Sequence, residues 1–594
     1  MRKDVKASKM AEDKEVKAVA RKSKASSGQI TSSSTAEYFA KNLQQVGFSS
    51  PTKAVLTTLK EALDNALDAC EDHGIPPEIS IYIEKLGPGA TKNTDKILVR
   101  VEDNGPGIDI KDVPKVFGEY LASSKFGRGR CSRGQQGIGI SAATTWAMQT
   151  TAQGVKVFTR TKEQRQAIGC TVDVDIKGNR GILRDKLAVD WDRPHGTSVT
   201  FVIDGRIQLQ GEGGLITYLK GTVLVNPHLT LSFVLPGEEH VKIDRVTNVV
   251  PNIPQATEPH PHTLKLGELM AHGRLFGRAK VRSWLRNGFS RISDKTIDDI
   301  GEELKKSGIF TGDFFDKGLD KLNEKHFEEL YRAIQNVKLM APSTQSVFAI
   351  GEETLAKSIQ RLGDVDFFSI VTRKPTICDL KPVQVEVAMA RLKQKQSSDE
   401  EDAIQILRFA NRVPLQFDKS SCAIVKSITS VNWKPYGLRQ SKNGLPQGPY
   451  IIAVSVVSPF IKFKNASKET VDASDELLEE IRRTLMQAGQ RLSRHLSREH
   501  KANALEERLQ HIEQFGPILV ETLCRITAAP MTRKKRAEEG LKKILGRDTK
   551  HAERQLEEAD ERLEEHLEAQ KDKMPEFYSD SGANSESVSD AGLE

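Results

Sequence analysis

Three short segments, which follow one another within the first quarter of the chain, constrain its fold more than any other feature. They are Glu61-Ala-Leu-Asp-Asn65, Asp103-Asn-Gly105-Pro-Gly107 and Arg133-Gly134-Gln135-Gln136-Gly137-Ile138-Gly139. The first has the spacing of a helix, the second follows a predicted strand, and the third leads into a predicted helix. A fold that uses all three must bring a helix face, a strand end and a glycine-rich loop to one place.

The first segment lies on a predicted amphipathic helix from about Lys53 to Cys70. Its apolar residues recur at helical spacing and form the predicted buried face: Ala54, Val55, Leu59, Leu63, Ala66 and Leu67. Glu61, Asn65 and Asp68 share a polar stripe roughly opposite that face and can converge on one ligand. The Glu61 carboxylate can activate a water for attack on a phosphate, and the Asn65 carbonyl oxygen can bind Mg²⁺. A solvated helix face is the other interpretation of this stripe.

The second segment follows an alternating apolar run, Ile97–Val101, which predicts a strand with Asp103 at its end. Gly105 and Gly107 let the backbone turn sharply and approach a ligand closely. A carboxylate at this point can accept a hydrogen bond from the amino group of adenine, which distinguishes adenine from guanine. An ordinary strand-to-loop turn explains the same residues equally well.

The third segment is a glycine-rich loop before a predicted helix, Ile140–Met148. Backbone N–H groups at such a helix start bind phosphate. The predicted phosphate-binding residues are Ser124, Lys125, Arg133, Gly134, Gln135, Gln136, Gly137, Ile138 and Gly139. The loop also fits a dinucleotide fingerprint, but no clear strand runs directly into it and no acidic residue closes a strand about twenty positions on. No P-loop signature is present, so the three segments together predict an ATP site of another kind.

This order of motifs, a helix with E-x-x-x-N, a strand ending in D-x-G-x-G and a loop with G-x-x-G-x-G, resembles the ATPase superfamily of gyrase, MutL and the sensor histidine kinases. The resemblance implies a Bergerat-type α/β sandwich, in which helices pack on a mixed sheet. A later segment, His195-Gly-Thr197-Ser-Val-Thr-Phe201, resembles the buried threonine strand of that superfamily. By this match the Thr197 hydroxyl supports Asp103; an ordinary strand threonine is the alternative.

Composition indicates an intracellular protein of about three or four domains, since the chain has 594 residues. A net charge of +7 is only mildly basic, and six cysteines without a C-x-x-C pair predict reduced thiols and no zinc site. No apolar run is long enough to span a membrane, and the Lys-rich N-terminus lacks the apolar core of a secretory signal. We therefore expect a soluble protein in a cytoplasmic nucleoid, or in the nucleus of a eukaryote.

Two later regions resemble the type IIB topoisomerases. The segment from Phe289-Ser-Arg-Ile-Ser293 to Ala341-Pro-Ser343 is similar to their helix-two-turn-helix insert, which gyrase and its type IIA relatives lack. Predicted strands at 383–387 and 450–457, followed by an amphipathic helix through 477–492, resemble their transducer domain. The sequence thus carries three successive domains in the order of that family.

The transducer region also supplies a candidate phosphate sensor. Its loop Lys462-Phe-Lys464-Asn-Ala-Ser-Lys468-Glu resembles the topoisomerase loop that reaches back into the nucleotide site. By position in the loop, Lys468 matches the lysine that touches the γ-phosphate, and Lys464 is the alternative. An ammonium that engages only when the terminal phosphate is present would make the domain angle distinguish ATP from ADP.

Over about residues 26 to 500 the chain resembles the B-subunit family of topoisomerase VI, which implies an α+β multidomain fold. The predicted organisation is a disordered basic tail over 1–28, an ATPase domain with an N-terminal strap over 29–240, a connector and helix-two-turn-helix domain over 241–347, a transducer domain over 348–500, a charged helical extension over 501–574 and a disordered acidic tail over 575–594. The resemblance also implies a homodimer that forms on ATP binding, with Ser32–Val46 as the strap laid across the partner.

By the same resemblance, the chain hydrolyses ATP as a dimer gate around one DNA duplex, while an A-type subunit holds a break in another, giving an A2B2 heterotetramer. The pairs Asp173 and Asp175, and Asp364 and Asp366, imitate half of a cleavage metal cluster. The first pair alternates within Thr171–Ile176, as expected for the solvent face of a strand. DNA cleavage is therefore expected from the partner.

Other functions share the nucleotide motifs. A sensor histidine kinase would need a phosphoacceptor histidine before them, whereas the first histidine is His73. A nucleotide-gated DNA clamp of the mismatch-repair or chaperone type stays open, although the predicted insert argues against it.

Positive residues dominate the segment from Arg274 to Lys295, where Asp294 is the single acid. Phe276, Trp284 and Phe289 are interleaved with them, which makes the segment a candidate phosphate-contact surface. Solvated helices with apolar anchors are the alternative.

Overall fold

The computed structural model describes residues 34–122, 131, 133–134, 137–251, 256–306, 313–347, 349–362, 365–392, 404–441, 444–465 and 467–543. Predictions for the two tails, for Asp364 and for the loop residues Ser124, Lys125, Gln135 and Gln136 lie outside these residues.

An eight-stranded sheet forms one layer of the N-terminal domain. Its strands are β1 Glu78–Pro88, β2 Asp95–Asp103, β3 Val155–Arg160, β4 Ala167–Asp175, β5 Arg180–Val189, β6 Gly196–Gly205, β7 Thr230–Val234 and β8 Val241–Ile243. They lie in the order β5-β4-β3-β6-β2-β1-β7-β8, and of the neighbouring pairs only β1 and β7 are parallel. The predicted strand before Asp103 is confirmed, and its register places Asp103 opposite Thr197 on β6.

Helices supply the other layer and most of the later domains. The α-helices are α1 Thr35–Lys41, α2 Pro51–Asp72, α3 Val113–Gly118, α4 Gly139–Thr151, α5 Leu215–Val225, α6 Leu266–Leu275, α7 Val281–Gly288, α8 Asp294–Lys306, α9 Glu324–Asn336, α10 Glu352–Ile359, α11 Ala423–Ser430 and α12 Asp475–Ile526.

Helix α2 packs on the sheet because its apolar face is continuous. Leu59, Leu63 and Leu67 are fully buried, and the helix lies against β2, β6 and α4. It begins after Ser50, whose side chain accepts the N–H of Lys53 at 3.3 Å. The cap explains why the helix starts slightly before the predicted Lys53. Together, α2 and α4 on a mixed sheet confirm the expected sandwich.

The segment from Ser34 to Val46 packs on its own domain. Helix α1 and the short turn that follows it bury Ala36, Leu43 and Val46 in the core of the ATPase layers. The side chain of Gln149 on α4 also donates to the Ala40 carbonyl at 3.1 Å. These contacts place the described part of the segment on its own domain, and the strap across a partner over Ser32–Val46 stays a prediction.

Helices α6 to α9 form a separate unit with its own core. Trp284 and Leu285 on α7 are fully buried there, beside Phe289 and Phe327. The Trp284 indole N–H donates to His272 Nδ1 at 3.0 Å, which satisfies the buried polar group. The predicted helical insert is therefore confirmed as a helical domain between the two sheets.

A second mixed sheet forms the transducer region. Its strands are β9 Val365–Thr372, β10 Thr376–Cys378, β11 Lys381–Leu392, β12 Gln405–Ala410, β13 Val413–Pro414 and β16 Tyr450–Val457, and a separate ribbon pairs β14 Arg439–Gln440 with β15 Pro446–Gln447. β11 pairs with β9 and β16, and β12 runs parallel to β16. Helices α11 and α12 cover the sheet, as the predicted strands and amphipathic helix require.

Helix α12 begins in the transducer and continues far beyond it. Its first part buries Ile481, Leu485 and Leu492 against the sheet. The helix runs on without interruption past residue 500, where the transducer was predicted to end, to Ile526. Among the described residues, we find no helix of the length and apolar character that a membrane crossing requires.

Candidate functional site

The centre of the candidate site is one face of α2. Glu61, Asn65 and Ala69 stand one helical turn apart on this face, over about 12 Å. Glu61 lies against Gly139 at the start of α4, because a Cβ built at Gly139 would fall 1.9 Å from Glu61 Oε2. Ala69 lies against Gly105 after β2, where a Cβ would fall 3.7 Å from the Ala69 Cβ. The three predicted segments thus meet along α2, with Asn65 between the other two contacts.

Asp103 is held at the end of β2 by backbone donors. Its Oδ1 atom accepts the N–H of Gly105 at 2.8 Å and the N–H of Thr197 at 3.2 Å. Burial raises the pKa of Asp103 to about 7, although these two N–H groups oppose the rise. Both hydrogen bonds from the described residues go to Oδ1, so Oδ2 can accept a bond from a ligand. The Thr197 contact uses the backbone N–H rather than the hydroxyl that the resemblance implied.

The turn after Asp103 is tight at both predicted glycines. At Gly107 the backbone φ is +77°, and a Cβ would lie 2.2 Å from the Arg160 carbonyl oxygen. At Gly105 a Cβ would lie 2.8 Å from Asp103 Oδ1, so a side chain there would displace the carboxylate. The turn can therefore keep Asp103 in place only with glycine at these positions.

Part of the predicted phosphate loop is described, namely Arg133, Gly134 and Gly137 to Gly139. The Gly137 carbonyl accepts the N–H of Leu121 at 2.8 Å, and Ile138 is buried in the core and anchors the loop end. The Gly134 N–H donates to Asp68 at 3.3 Å. Gly139 opens α4, whose first N–H groups have no partner within the helix and suit a phosphate.

Arg133 has a different role from the predicted phosphate contact. Its guanidinium is 2 % exposed and donates to Asp68 at 2.8 Å, to both oxygens of Glu71 at 2.7 and 2.8 Å, and to Asn226 at 2.5 Å. The side chain is therefore taken up by carboxylates of α2 and cannot also bind a nucleotide. The same contacts remove Asp68 from the polar stripe that was expected to converge on the ligand.

Lys468 enters the site from the transducer domain. It lines a cleft together with Lys60, Glu61, Asp64 and Asn411, and its Nζ atom donates to the Arg133 carbonyl at 2.6 Å. Burial lowers the pKa of Lys468, and the nearby Glu61 carboxylate opposes this shift. Lys464, the alternative sensor, is exposed. The geometry therefore favours Lys468 as the sensor lysine.

The loop that carries Lys468 is docked on α2 from both sides. Glu469 forms an ion pair with Lys53 at 3.1 Å, and the Ser467 carbonyl accepts a bond from Lys60 at 3.3 Å. Lys53 and Lys60 are two turns apart on α2, so the loop follows the helix toward Glu61. These contacts fix the position of Lys468 along α2, beside Glu61.

Sequence reasoning missed Asp64, which also lines the cleft. Asp64 is buried, and Tyr218 donates to its Oδ1 atom at 3.4 Å. Burial raises the pKa of Asp64 to about 7, against the attraction of Lys60. A carboxylate between the apolar positions Leu63 and Leu67 was the available signal, because such a residue must face the protein interior.

The basic segment from Arg274 to Lys295 is less one-sided in space than in sequence. Asp294 pairs with Arg286 at 3.0 Å and with Arg282 at 3.5 Å, and Asp316 pairs with Lys280 at 3.1 Å. Its aromatic residues Trp284 and Phe289 belong to the domain core and not to the surface. This arrangement favours the interpretation of solvated helices with apolar anchors.

The aspartates that imitate a metal cluster are paired with arginines. Asp173 contacts Arg184 at 2.7 Å and Asp175 contacts Arg180 at 2.9 Å, both across the β4–β5 hairpin. The two aspartates alternate with buried valines, so the predicted solvent face of this strand is confirmed.

The sandwich fold, with a carboxylate held at the end of β2 and a glycine loop at the start of α4, defines an ATP-binding domain of the Bergerat class. The family model of histidine kinase-, DNA gyrase B- and HSP90-like ATPases matches residues 52–204, which hold these elements. A second model, that of the topoisomerase VI B subunit transducer, matches residues 342–508.

Similar proteins identify the family. The type 2 DNA topoisomerase 6 B subunit of Archaeoglobus fulgidus is 34 % identical over 500 residues, which cover 84 % of this chain and 80 % of that protein. The corresponding B subunit of Methanococcoides burtonii is 36 % identical over 491 residues, covering 82 % and 76 % of the two chains. The chain therefore belongs to the family of type 2 DNA topoisomerase 6 B subunits.

The environment of Asp103 predicts a pH-dependent affinity. A carboxylate with a pKa of about 7 is protonated below that pH and ionised above it, and only the ionised form accepts a bond from the adenine amino group at either oxygen. ATP affinity should therefore rise between about pH 6 and pH 8. Asp103→Asn should weaken ATP binding by roughly 1 to 3 kcal/mol, reduce the preference for ATP over GTP and abolish this rise. Isothermal titration of both proteins at several pH values tests this, and equal affinity with equal base preference would remove Asp103 from the site.

The contact between Glu61 and Gly139 predicts that Gly139→Ala impairs hydrolysis. A new Cβ 1.9 Å from Glu61 Oε2 must push the carboxylate away, and such misplacement costs roughly a hundredfold in rate. Gly267→Ala on α6 is the matched control, since nothing lies within 4 Å of a Cβ at that position. Steady-state ATPase rates at saturating ATP measure the effect. A parental rate in Gly139→Ala would mean that Glu61 does not need this position.

Proposed function

We propose that the chain binds ATP between α2, the end of β2 and the start of α4, and that Glu61 activates the attacking water. The chain is the ATP-driven B subunit of a type IIB DNA topoisomerase, and hydrolysis is the step that returns such a subunit to its starting state. The Glu61 carboxylate faces the helix start that suits phosphate, so it can accept the water proton as the oxygen attacks the terminal phosphorus. ADP and phosphate then leave.

The base of the nucleotide is assigned to the other end of the α2 face. Asp103 Oδ2 would accept the adenine amino group, with Gly105 and Gly107 giving room for the ring. The distance along α2 from Glu61 to Ala69, about 12 Å, suits a nucleotide triphosphate that extends from base to terminal phosphate.

The donor set of the site fits Mg²⁺. Asn65 offers a carbonyl oxygen one turn from Glu61, and Mg²⁺ in nucleotide enzymes takes few protein ligands because phosphates and waters complete its shell. When bound, the ion neutralises charge on the phosphates. Asn65 would hold it, while Glu61 is kept for the water.

The contact that carries the proposal is the one between Lys468 and the Arg133 carbonyl, because it brings a transducer lysine into the cleft of Glu61. An ammonium there can bind the γ-phosphate when ATP is present and lose that partner after hydrolysis. The angle between the ATPase and transducer domains then depends on the nucleotide. We propose that this change closes a homodimer around a DNA duplex.

DNA passage requires a partner that opens the second duplex. The relatives are B subunits, and we propose that an A-type subunit supplies the cleavage tyrosine in an A2B2 heterotetramer. We propose that the complex acts where its DNA is, at the nucleoid or, in a eukaryote, in the nucleus. A nucleotide-gated clamp of the mismatch-repair type is disfavoured, because the transducer matches that of topoisomerase VI.

Replacement of Glu61 tests the assigned base. Glu61→Ala should bind ATP but hydrolyse it at least about a hundredfold more slowly, the range typical of a lost general base. Asn65→Ala should instead weaken binding of the magnesium nucleotide. Binding and hydrolysis are measured separately, by titration and by phosphate release. Near-parental hydrolysis by Glu61→Ala at saturating ATP would show that another group is the base.

Replacement of Lys468 tests the gate. Lys468→Ala should bind nucleotide but dimerise poorly with a non-hydrolysable ATP analogue. The closed arrangement loses the bond between the Lys468 ammonium and the γ-phosphate, which the open arrangement does not make. Lys464→Ala is the control, since Lys464 is exposed. Sedimentation measures the dimer, and strand passage with the A-type partner should fail with it. Dimerisation that survives Lys468→Ala but is lost in Lys464→Ala would assign the sensor to Lys464.

A further inference from the structure

We propose that Arg412 of the transducer domain is a positioning residue for the ATP-dependent dimer gate. It acts through Glu71 on Arg133, whose carbonyl binds Lys468. The inference rests on the proposed function, because it concerns how the transducer responds to nucleotide. Arg412 does not line the Glu61 cleft itself.

The first observation is the geometry of the turn that carries Arg412. Asn411 and Arg412 join β12 to β13 with φ values of +48° and +62°, which are uncommon outside glycine. The Asn411 amide fixes the turn, since it donates to the Ser458 carbonyl at 3.0 Å and accepts the Ser458 N–H at 2.9 Å. The turn thus directs Arg412 away from its own sheet and into the ATPase domain.

The second observation is a carboxylate shared between the two domains. Arg412 Nη2 donates to Glu71 Oε2 at 2.7 Å, and Arg133 Nη1 donates to the same oxygen at 2.8 Å. Glu71 Oε1 lies 2.7 Å from Arg133 Nη2 and 2.7 Å from His228 Nε2. Burial alone would raise the pKa of Glu71, but the two arginines lower it well below its usual value. One ionised oxygen therefore joins the nucleotide loop to the transducer.

The third observation is that the transducer reaches Arg133 at both of its ends. Lys468 binds the Arg133 carbonyl directly, at 2.6 Å, and Arg412 reaches the Arg133 guanidinium through Glu71. The two transducer residues lie in different loops, so they do not move as one side chain. A change of domain angle acts on Arg133 through both contacts, at its carbonyl and at its guanidinium, so the position of Arg133 depends on that angle.

The charge of the cluster explains why the docked arrangement is favoured. Asp68 and Glu71 are balanced by Arg133 and Arg412, and all four side chains are at least nine-tenths buried. Withdrawal of Arg412 leaves one negative charge in excess in a poorly solvated place, which is unfavourable. The transducer is thereby held near the nucleotide loop until a larger free-energy change moves it.

The experiment separates domain coupling from simple charge balance in the full chain. Arg412→Met removes the link but also leaves the excess charge, so it should lower thermal stability as well. The double variant Glu71→Gln with Arg412→Met restores the balance between Asp68 and Arg133 without restoring the link. Arg412→Lys keeps the positive charge but replaces the planar guanidinium with a single ammonium group. Arg373→Met is the control, because Arg373 makes a comparable 2.6 Å pair with Glu480 inside the transducer.

Sedimentation against increasing concentrations of a non-hydrolysable ATP analogue gives the readout, beside the thermal unfolding midpoint. The double variant should unfold near the parental temperature but need at least about tenfold more analogue to dimerise, within the usual range of site coupling. Arg412→Lys should shift in the same direction by less, and Arg373→Met should dimerise as the parent does.

Parental analogue dependence in the double variant and in Arg412→Lys would overturn the inference and leave Arg412 as a residue of stability alone. The proposed gate would instead be contradicted if the parental chain does not dimerise with the analogue, or if the Lys468→Ala variant still does. The two failures are therefore distinguished by which protein shows them.

Discussion

The buried carboxylates of Asp68 and Glu71 are the constraint on which the rest of this molecule depends. Both lie on α2, and an unpaired carboxylate in such a place would cost several kcal/mol. Their positive partners come from elsewhere: Arg133 from the nucleotide loop and Arg412 from the transducer. Asn226, which follows α5, and His228 complete the bonds. The native positions of the glycine-rich loop, of α2 and of the second sheet therefore depend on one shared set of ion pairs.

Helix α2 therefore carries the proposed base and the domain contacts at the same time. Its N-terminal half holds the sensor loop through Lys53 and Lys60, its middle presents Glu61, and its last turn carries Glu71. A rigid element that carries all three would keep their spacing constant during the proposed domain movement. Such spacing is what a site needs when binding of a phosphate must be converted into a domain angle.

The elements of this site were predictable, and the network beneath it was not. The periodicity of α2, the alternation of β2 and the glycines before α4 are local signals, and the structure places each where the sequence indicates. Arg133 was predicted to bind phosphate because it lies in the glycine-rich loop. Its guanidinium is instead bound by residues more than sixty positions away. The bond from Arg412 to Glu71 joins residues 341 positions apart. An ion pair between distant segments leaves no periodic pattern in the sequence. For the same reason, the charges counted within 274–295 did not include Asp316, which pairs with Lys280.

The length of α12 turns a small local event into a large displacement. The helix starts at Asp475, a few residues after Lys468, and its 52 residues span about 78 Å. A tilt of about 5° at its start would carry Gly516, just before Pro517 of this helix, through roughly 5 Å, since about 42 residues at 1.5 Å each precede it. The loop that carries Lys468 thus lies next to the pivot of this long helix. A partner bound to the distal part of α12 would therefore be displaced by several ångströms when the Lys468 contact changes.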